Sequence, residues 1–92
     1  MSIGIMRNGR TKFEGVALPL GWRVEKNEHH ADRIHVIKVV EGETSVATIS
    51  WKERTVDTGW TPRFRKYREE VPAGRGWRTK LVEQAVAALG YS

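Results

Sequence analysis

Cysteine is absent from this chain of 92 residues, and that absence excludes several classes of site. Without cysteine the chain forms no internal disulfide, no thiolate zinc site and no catalytic thiol. It also has no run of 18 apolar residues, so we expect no membrane-spanning segment. The N-terminus lacks the long apolar stretch of a secretion signal. A cytoplasmic protein is therefore the expectation.

Catalytic and metal-binding patterns are also scarce. The histidines His29, His30 and His35 are accompanied nearby by Asp32, which makes too small a ligand set to predict a metal site. No spacing indicates a Ser, His and Asp arrangement, and the segment Gly74-Arg75-Gly76 lacks the spacing of a P-loop. We therefore expect a protein that is not an enzyme and that needs no metal or cofactor.

Positive charge is in excess, and the excess is local. The net charge is +5 and the estimated pI is about 10. Residues 52–80 carry nine cations and four anions, whereas residues 1–51 carry seven cations and six anions. A local excess of one sign indicates an acidic partner such as nucleic acid, an anionic surface or an acidic protein face. A charged surface that merely keeps a small protein soluble would have the same composition.

The stretch Trp60–Lys80 interleaves these cations with aromatic rings. Cations that meet phosphates and rings that stack on bases are the two parts that a single-stranded nucleic-acid binder needs. We predict a basic-aromatic loop over residues 61–76, in which the cations contact phosphates and Phe64 and Tyr67 stack or wedge. The predicted nucleic-acid-binding residues are Arg63, Phe64, Arg65, Lys66, Tyr67, Arg68, Arg75, Arg78 and Lys80. The alternative is that rings such as Trp77 belong to the core and the cations only surround them.

The residue pattern predicts a small α+β domain. Arg33–Val40 is β-branched nearly throughout and predicts a central strand. A turn at residues 41–43 joins it to Thr44–Lys52, where apolar and polar residues alternate, and the two form a β-hairpin. Gly21–Lys26 predicts one more strand, and Thr55 and Val56 can extend the sheet.

The last predicted element is a helix over about residues 77–89, with Gly90 at its stop. Its apolar stripe consists of Trp77, Leu81, Ala85, Ala88 and Leu89. The overall prediction is an antiparallel three-stranded sheet with one C-terminal helix packed on one face, in the order β-β-β-α, or the same with an extra N-terminal strand. Residues 1–12 are predicted to be a flexible arm and residues 13–92 a single domain.

This element order resembles that of some small DNA-binding domains and of the last four elements of double-stranded-RNA-binding domains. The likeness is one of element order over about residues 20–90, and it transfers no functional residue. If exposed, Ile37 and Val39 with His35 would form an apolar patch on the open sheet face, which is a surface for a homodimer unless the N-terminal segment covers it.

Two functions remain as predictions. The first is a small basic protein that binds nucleic acid, either DNA or RNA, without catalysis. The second is a protein-interaction module or inhibitor that docks its basic surface onto an acidic protein partner.

Overall fold

The computed structural model describes residues 3–58, 68–70 and 72–90, and of residues 68–70 it describes the backbone alone. Within these residues the chain forms eight β-strands followed by one α-helix. They are β1 (Ile3–Ile5), β2 (Thr11–Phe13), β3 (Val16–Ala17), β4 (Arg23–Lys26), β5 (Arg33–Val40), β6 (Glu43–Ser50), β7 (Thr55–Asp57), β8 (Arg68–Glu70) and α1 (Trp77–Ala88).

The larger sheet contains β4 to β8, each strand antiparallel to the next. Its centre is the hairpin of β5 and β6, whose pairing runs from Arg33 opposite Ser50 to Val40 opposite Glu43. The two residues that join these strands have positive φ values, 51° and 80°, as a two-residue hairpin turn requires. The predicted central strand and hairpin are confirmed.

The smaller sheet contains β1, β2 and β3 and was not expected from the sequence. The sequence predicts an arm over residues 1–12 with at most one extra strand, whereas the structure places β1 and most of β2 there. The predicted count of three strands in the order β-β-β-α is therefore wrong, although the α+β class, the antiparallel pairing and the C-terminal helix are confirmed. Strands of two or three residues contain too little alternation to be recognised from sequence. The flexibility of residues 1–12 stays a prediction.

One hydrophobic core lies between the five-stranded sheet, the helix and the three-stranded sheet. The registers place Ile34, Val36, Ala47, Ile49 and Val56 on one face of the larger sheet. These residues cluster with Phe13, Leu18, Trp22, Leu81, Val82, Ala85 and Leu89. The predicted helix stripe is thus largely confirmed, but it missed Val82, while Trp77 and Ala88 lie half-buried at the edge of the core.

Two side-chain hydrogen bonds hold the helix at its ends. In the first turn, the hydroxyl Oγ1 of Thr79 donates to the backbone oxygen of Glu14 at 2.8 Å, which ties the β2–β3 turn to α1. At the other end, Nζ of Lys38 donates to the backbone oxygen of Leu89 at 2.7 Å. The helix has 12 residues. Within the described ranges, no helix has the length and hydropathy to cross a membrane.

The opposite face of the larger sheet does not expose the expected apolar patch. Ile37 is only 4% exposed and is buried apart from the main core, and Val39 is half-buried. The ring of His35 is held between the hydroxyl of Thr48, 2.9 Å from Nδ1, and the side-chain amide of Asn27, 3.3 Å from Nε2. Little apolar surface therefore remains around Ile37, and a homodimer through this face stays a prediction.

Candidate nucleic-acid interface

The structure describes only part of the predicted binding residues. Residues 63–67 lie outside the described ranges, and for Arg68 the structure gives a backbone position in β8, opposite Asp57 of β7. The roles predicted for Arg63, Phe64, Arg65, Lys66, Tyr67 and Arg68 therefore stay predictions. Arg75, Arg78 and Lys80 can be placed, and all three side chains are exposed.

The turn that follows β6 brings a tryptophan against the start of the helix. The sequence predicted a strand as far as Lys52, but β6 ends at Ser50 and residues 51–54 form a turn. The backbone N–H of Trp51 donates to the oxygen of Asp32, 2.8 Å away, and so ties the start of this turn to the residue before β5. Arg54, with φ at 55°, then reverses the chain toward β7. The Trp51 ring meets the ring of Trp77 edge-on at 6.0 Å between centroids, so residues 51–54 lie beside the first turn of α1.

Arg78 lies over both of these rings. Its guanidinium carbon is 5.2 Å from the ring centroid of Trp51 and 5.0 Å from that of Trp77. At such distances the ring quadrupoles attract the charge. None of the residues that the structure describes accepts a hydrogen bond from this guanidinium. With respect to the described residues, its planar set of N–H donors is available for an anion with phosphate geometry.

Two more cations belong to the segments that this contact joins, and we call the three residues Lys52, Arg75 and Arg78 the basic corner. Lys52 follows Trp51 in the turn, and Arg75 directly precedes Gly76, the N-cap residue of the helix. Both are exposed and form no ion pair with another described residue. Other cations are engaged: Arg10 donates to two backbone oxygens, and Arg23 pairs with a neighbouring carboxylate. Among the residues that the structure describes, none forms an ion pair with a cation of the basic corner.

Lys80, although predicted as part of the same site, points elsewhere. A helix turns by about 100° per residue, so the side chains of Arg78 and Lys80 project from the helix axis in directions about 200° apart. Arg78 is on the side of Leu81 and Ala85, which face the core, whereas Lys80 is on the outer side. The structure therefore places Arg75 and Arg78 at the corner and leaves Lys80 on a different surface of the helix.

The start of the helix has no side-chain cap. Gly76, with φ at 74°, is the N-cap residue and supplies no side-chain cap, and the first turn holds no acidic residue. The backbone N–H of Trp77 donates to the oxygen of Gly74 at 3.3 Å. Free N–H groups and the helix dipole favour an anion at such an end. This geometry is compatible with one backbone phosphate at the entry to the helix.

Trp51 and Trp77, the two rings under Arg78, also contribute to the packing of the protein. Trp77 packs against the edge of the core, as the core alternative in the sequence analysis held, and the Trp51 ring lies 6.0 Å from that of the buried Phe13. Trp51 is not among the functional residues that the sequence predicts. The sequence signal for it is the neighbouring Lys52 at the end of an apolar alternation, because a charged neighbour indicates that one side of the ring lies near solvent.

Other kinds of site find no support in the described part of the chain. Across residues 3–58 and 72–90 no group of three or more His, Asp or Glu side chains gathers to hold a metal ion. Compared with protein-family models, with curated proteins and with solved structures, the chain matches none of them. Its function must therefore be argued from the basic corner and from the charge of the chain.

Proposed function

We propose that this protein binds nucleic acid through a surface that includes the basic corner. The observation that carries the proposal is the guanidinium of Arg78, which lies over the rings of Trp51 and Trp77 and has no hydrogen-bond acceptor among the described residues. Residues 51–54 and 75–80 together hold five cations and one anion. Such a surface supplies the charge that a phosphate backbone attracts.

The two rings give Arg78 an advantage over a free surface arginine. An arginine side chain has about 2 kcal/mol of rotamer entropy, which a phosphate contact must offset. A cation–π contact at an exposed site stabilises by about 0.5–1 kcal/mol and restricts the side chain before any ligand arrives. The rings contact the charge without accepting hydrogen bonds in the manner of a carboxylate, so the donors stay free. Arg78 is therefore partly preorganised for a phosphate.

The affinity for a labelled oligonucleotide tests this proposal. The double variant Lys52→Ala with Arg78→Ala removes two cations of the corner. The matched control is Arg7→Ala with Arg23→Ala, which removes two exposed cations elsewhere. Arg7 is in the β1–β2 turn, and Arg23 is level with Ile37 on the sheet face opposite the core. The substitution of Arg23 removes only its exposed ion pair with Glu25, and such a pair contributes little to stability.

The corner variant is expected to lose clearly more affinity than the control, while both keep the circular-dichroism spectrum of the parent. Equal losses in the two variants would mean that net charge and not the corner attracts the polymer, and they would contradict the proposal. No binding to any nucleic acid at low salt would also contradict it. In that case the basic surface would be assigned to an acidic protein partner, the other function that the sequence predicts.

A further inference from the structure

The rings at the basic corner are partly covered by contacts within the protein. Of the aromatic residues that the structure describes, Phe13 is fully buried and Trp22 is 5% exposed. Trp51 and Trp77 are half-buried, meet each other edge-on and lie under the guanidinium of Arg78. A base that stacked on the ring faces under Arg78 would have to displace this residue. The corner therefore presents its cations to a ligand more fully than its aromatic rings.

A surface of this kind suits a duplex better than a single strand. Single-strand binders gain about 1–3 kcal/mol per base from stacking, and this gain offsets the cost of ordering a flexible strand. A double helix is already ordered, holds its bases inside, and carries about one charge per 1.7 Å of axis, twice the density of one strand. Cations without open rings gain most from the ligand with the denser and more rigid backbone.

We infer that the basic corner contacts the phosphate backbone of double-helical nucleic acid. This inference rests on the proposed function and narrows its ligand, because the sequence predicts a nucleic acid without distinguishing single strands from double strands. The contact involves Lys52, Arg75 and Arg78. It does not depend on the base sequence of the ligand, because phosphate contacts position a protein without specifying bases. The inferred ligand is the phosphate backbone of a double helix, which duplex DNA and duplex RNA both provide.

The experiment measures fluorescence anisotropy with four labelled ligands of equal length and sequence: duplex DNA, duplex RNA and the single strand of each. Each is titrated at several salt concentrations between about 50 and 200 mM. The expected result is tighter binding of at least one duplex than of either single strand. For Arg75→Ala with Arg78→Ala, the log–log salt slope for that duplex is expected to fall by about 0.9 per lost cation. Comparison of the DNA titrations with the RNA titrations shows which of the two duplexes the protein binds.

A second variant separates backbone contact from stacking. Phe64→Ala with Tyr67→Ala removes the rings to which the sequence assigns stacking, and it is expected to weaken single-strand binding more than duplex binding. Single strands that bind as tightly as the duplexes, or a salt slope for the duplex that stays unchanged in Arg75→Ala with Arg78→Ala, would overturn the inference while leaving the proposed function in place. No binding to any of the four ligands would overturn both.

Discussion

Arg78 and Trp51 are 27 positions apart in the chain, yet the guanidinium carbon of the one lies 5.2 Å from the ring centroid of the other. The contact joins the first turn of the helix to the turn that follows β6. It places at the end of the core a charged group whose N–H donors bond to none of the described residues. The proposed binding of nucleic acid depends on this contact.

The contact between Arg78 and Trp51 should be measurable as a coupling energy. In a double-mutant cycle with Arg78→Ala and Trp51→Leu, we expect a coupling of about 0.5–1 kcal/mol in the free energy of unfolding, the range of exposed cation–π pairs. Urea denaturation of the four proteins gives the values. Strictly additive effects of the two substitutions would show that the guanidinium and the ring do not interact in solution.

Lys38 is expected to stabilise the C-terminal end of the helix. Its Nζ donates to the oxygen of Leu89, one of the carbonyls that a helix end leaves unpaired, and a cation there also interacts favourably with the helix dipole. Lys38→Met should lower the free energy of unfolding by about 1–2 kcal/mol. The control is Lys26→Met on the edge strand β4, where the lysine is exposed and the change should stay within about 0.5 kcal/mol. Equal effects of the two substitutions would exclude a capping role for Lys38.

Gly42 is expected to be required by the turn of the central hairpin. Its φ of 80° lies in the left-handed region, which costs an L-residue about 1–2 kcal/mol, so Gly42→Ala should reduce stability by about that amount. Gly4 is the matched control, because it lies in strand β1 with no positive φ and no atom within 4 Å of an added Cβ. Thermal denaturation compares the two variants. A Gly42→Ala protein as stable as Gly4→Ala would contradict the turn geometry.

The parts of the fold that the sequence predicted are those with long local patterns. Residues 33–40 are β-branched nearly throughout, and β5 has those bounds in the structure. The helix was predicted within one residue of its end because apolar residues at spacings of three and four mark it. β7 was foreseen from Thr55 and Val56 alone. In each case neighbours in sequence determine the local structure.

The parts that were missed depend on contacts between distant residues. The smaller sheet consists of strands of two or three residues, and pairing such as that of Ile3 with Phe13 leaves no periodic signal. Val82 is buried because the sheet lies under that side of the helix, which no single-helix pattern shows. The same reason applies to Trp51 and Arg78, since their contact depends on how α1 crosses the end of β6.

The contact of Arg78 with a phosphate backbone is tested most directly by side-chain NMR. The Nε–H signal of Arg78, assigned by its loss in Arg78→Lys, is followed while duplex nucleic acid is added to the isotope-labelled protein. Arg10 provides the internal reference, because its Nε already donates to the oxygen of Leu18 at 2.8 Å. We predict that the Arg78 signal shifts in a saturable manner while the Arg10 signal stays in place. A complex that forms with the Arg78 signal unmoved would contradict the account.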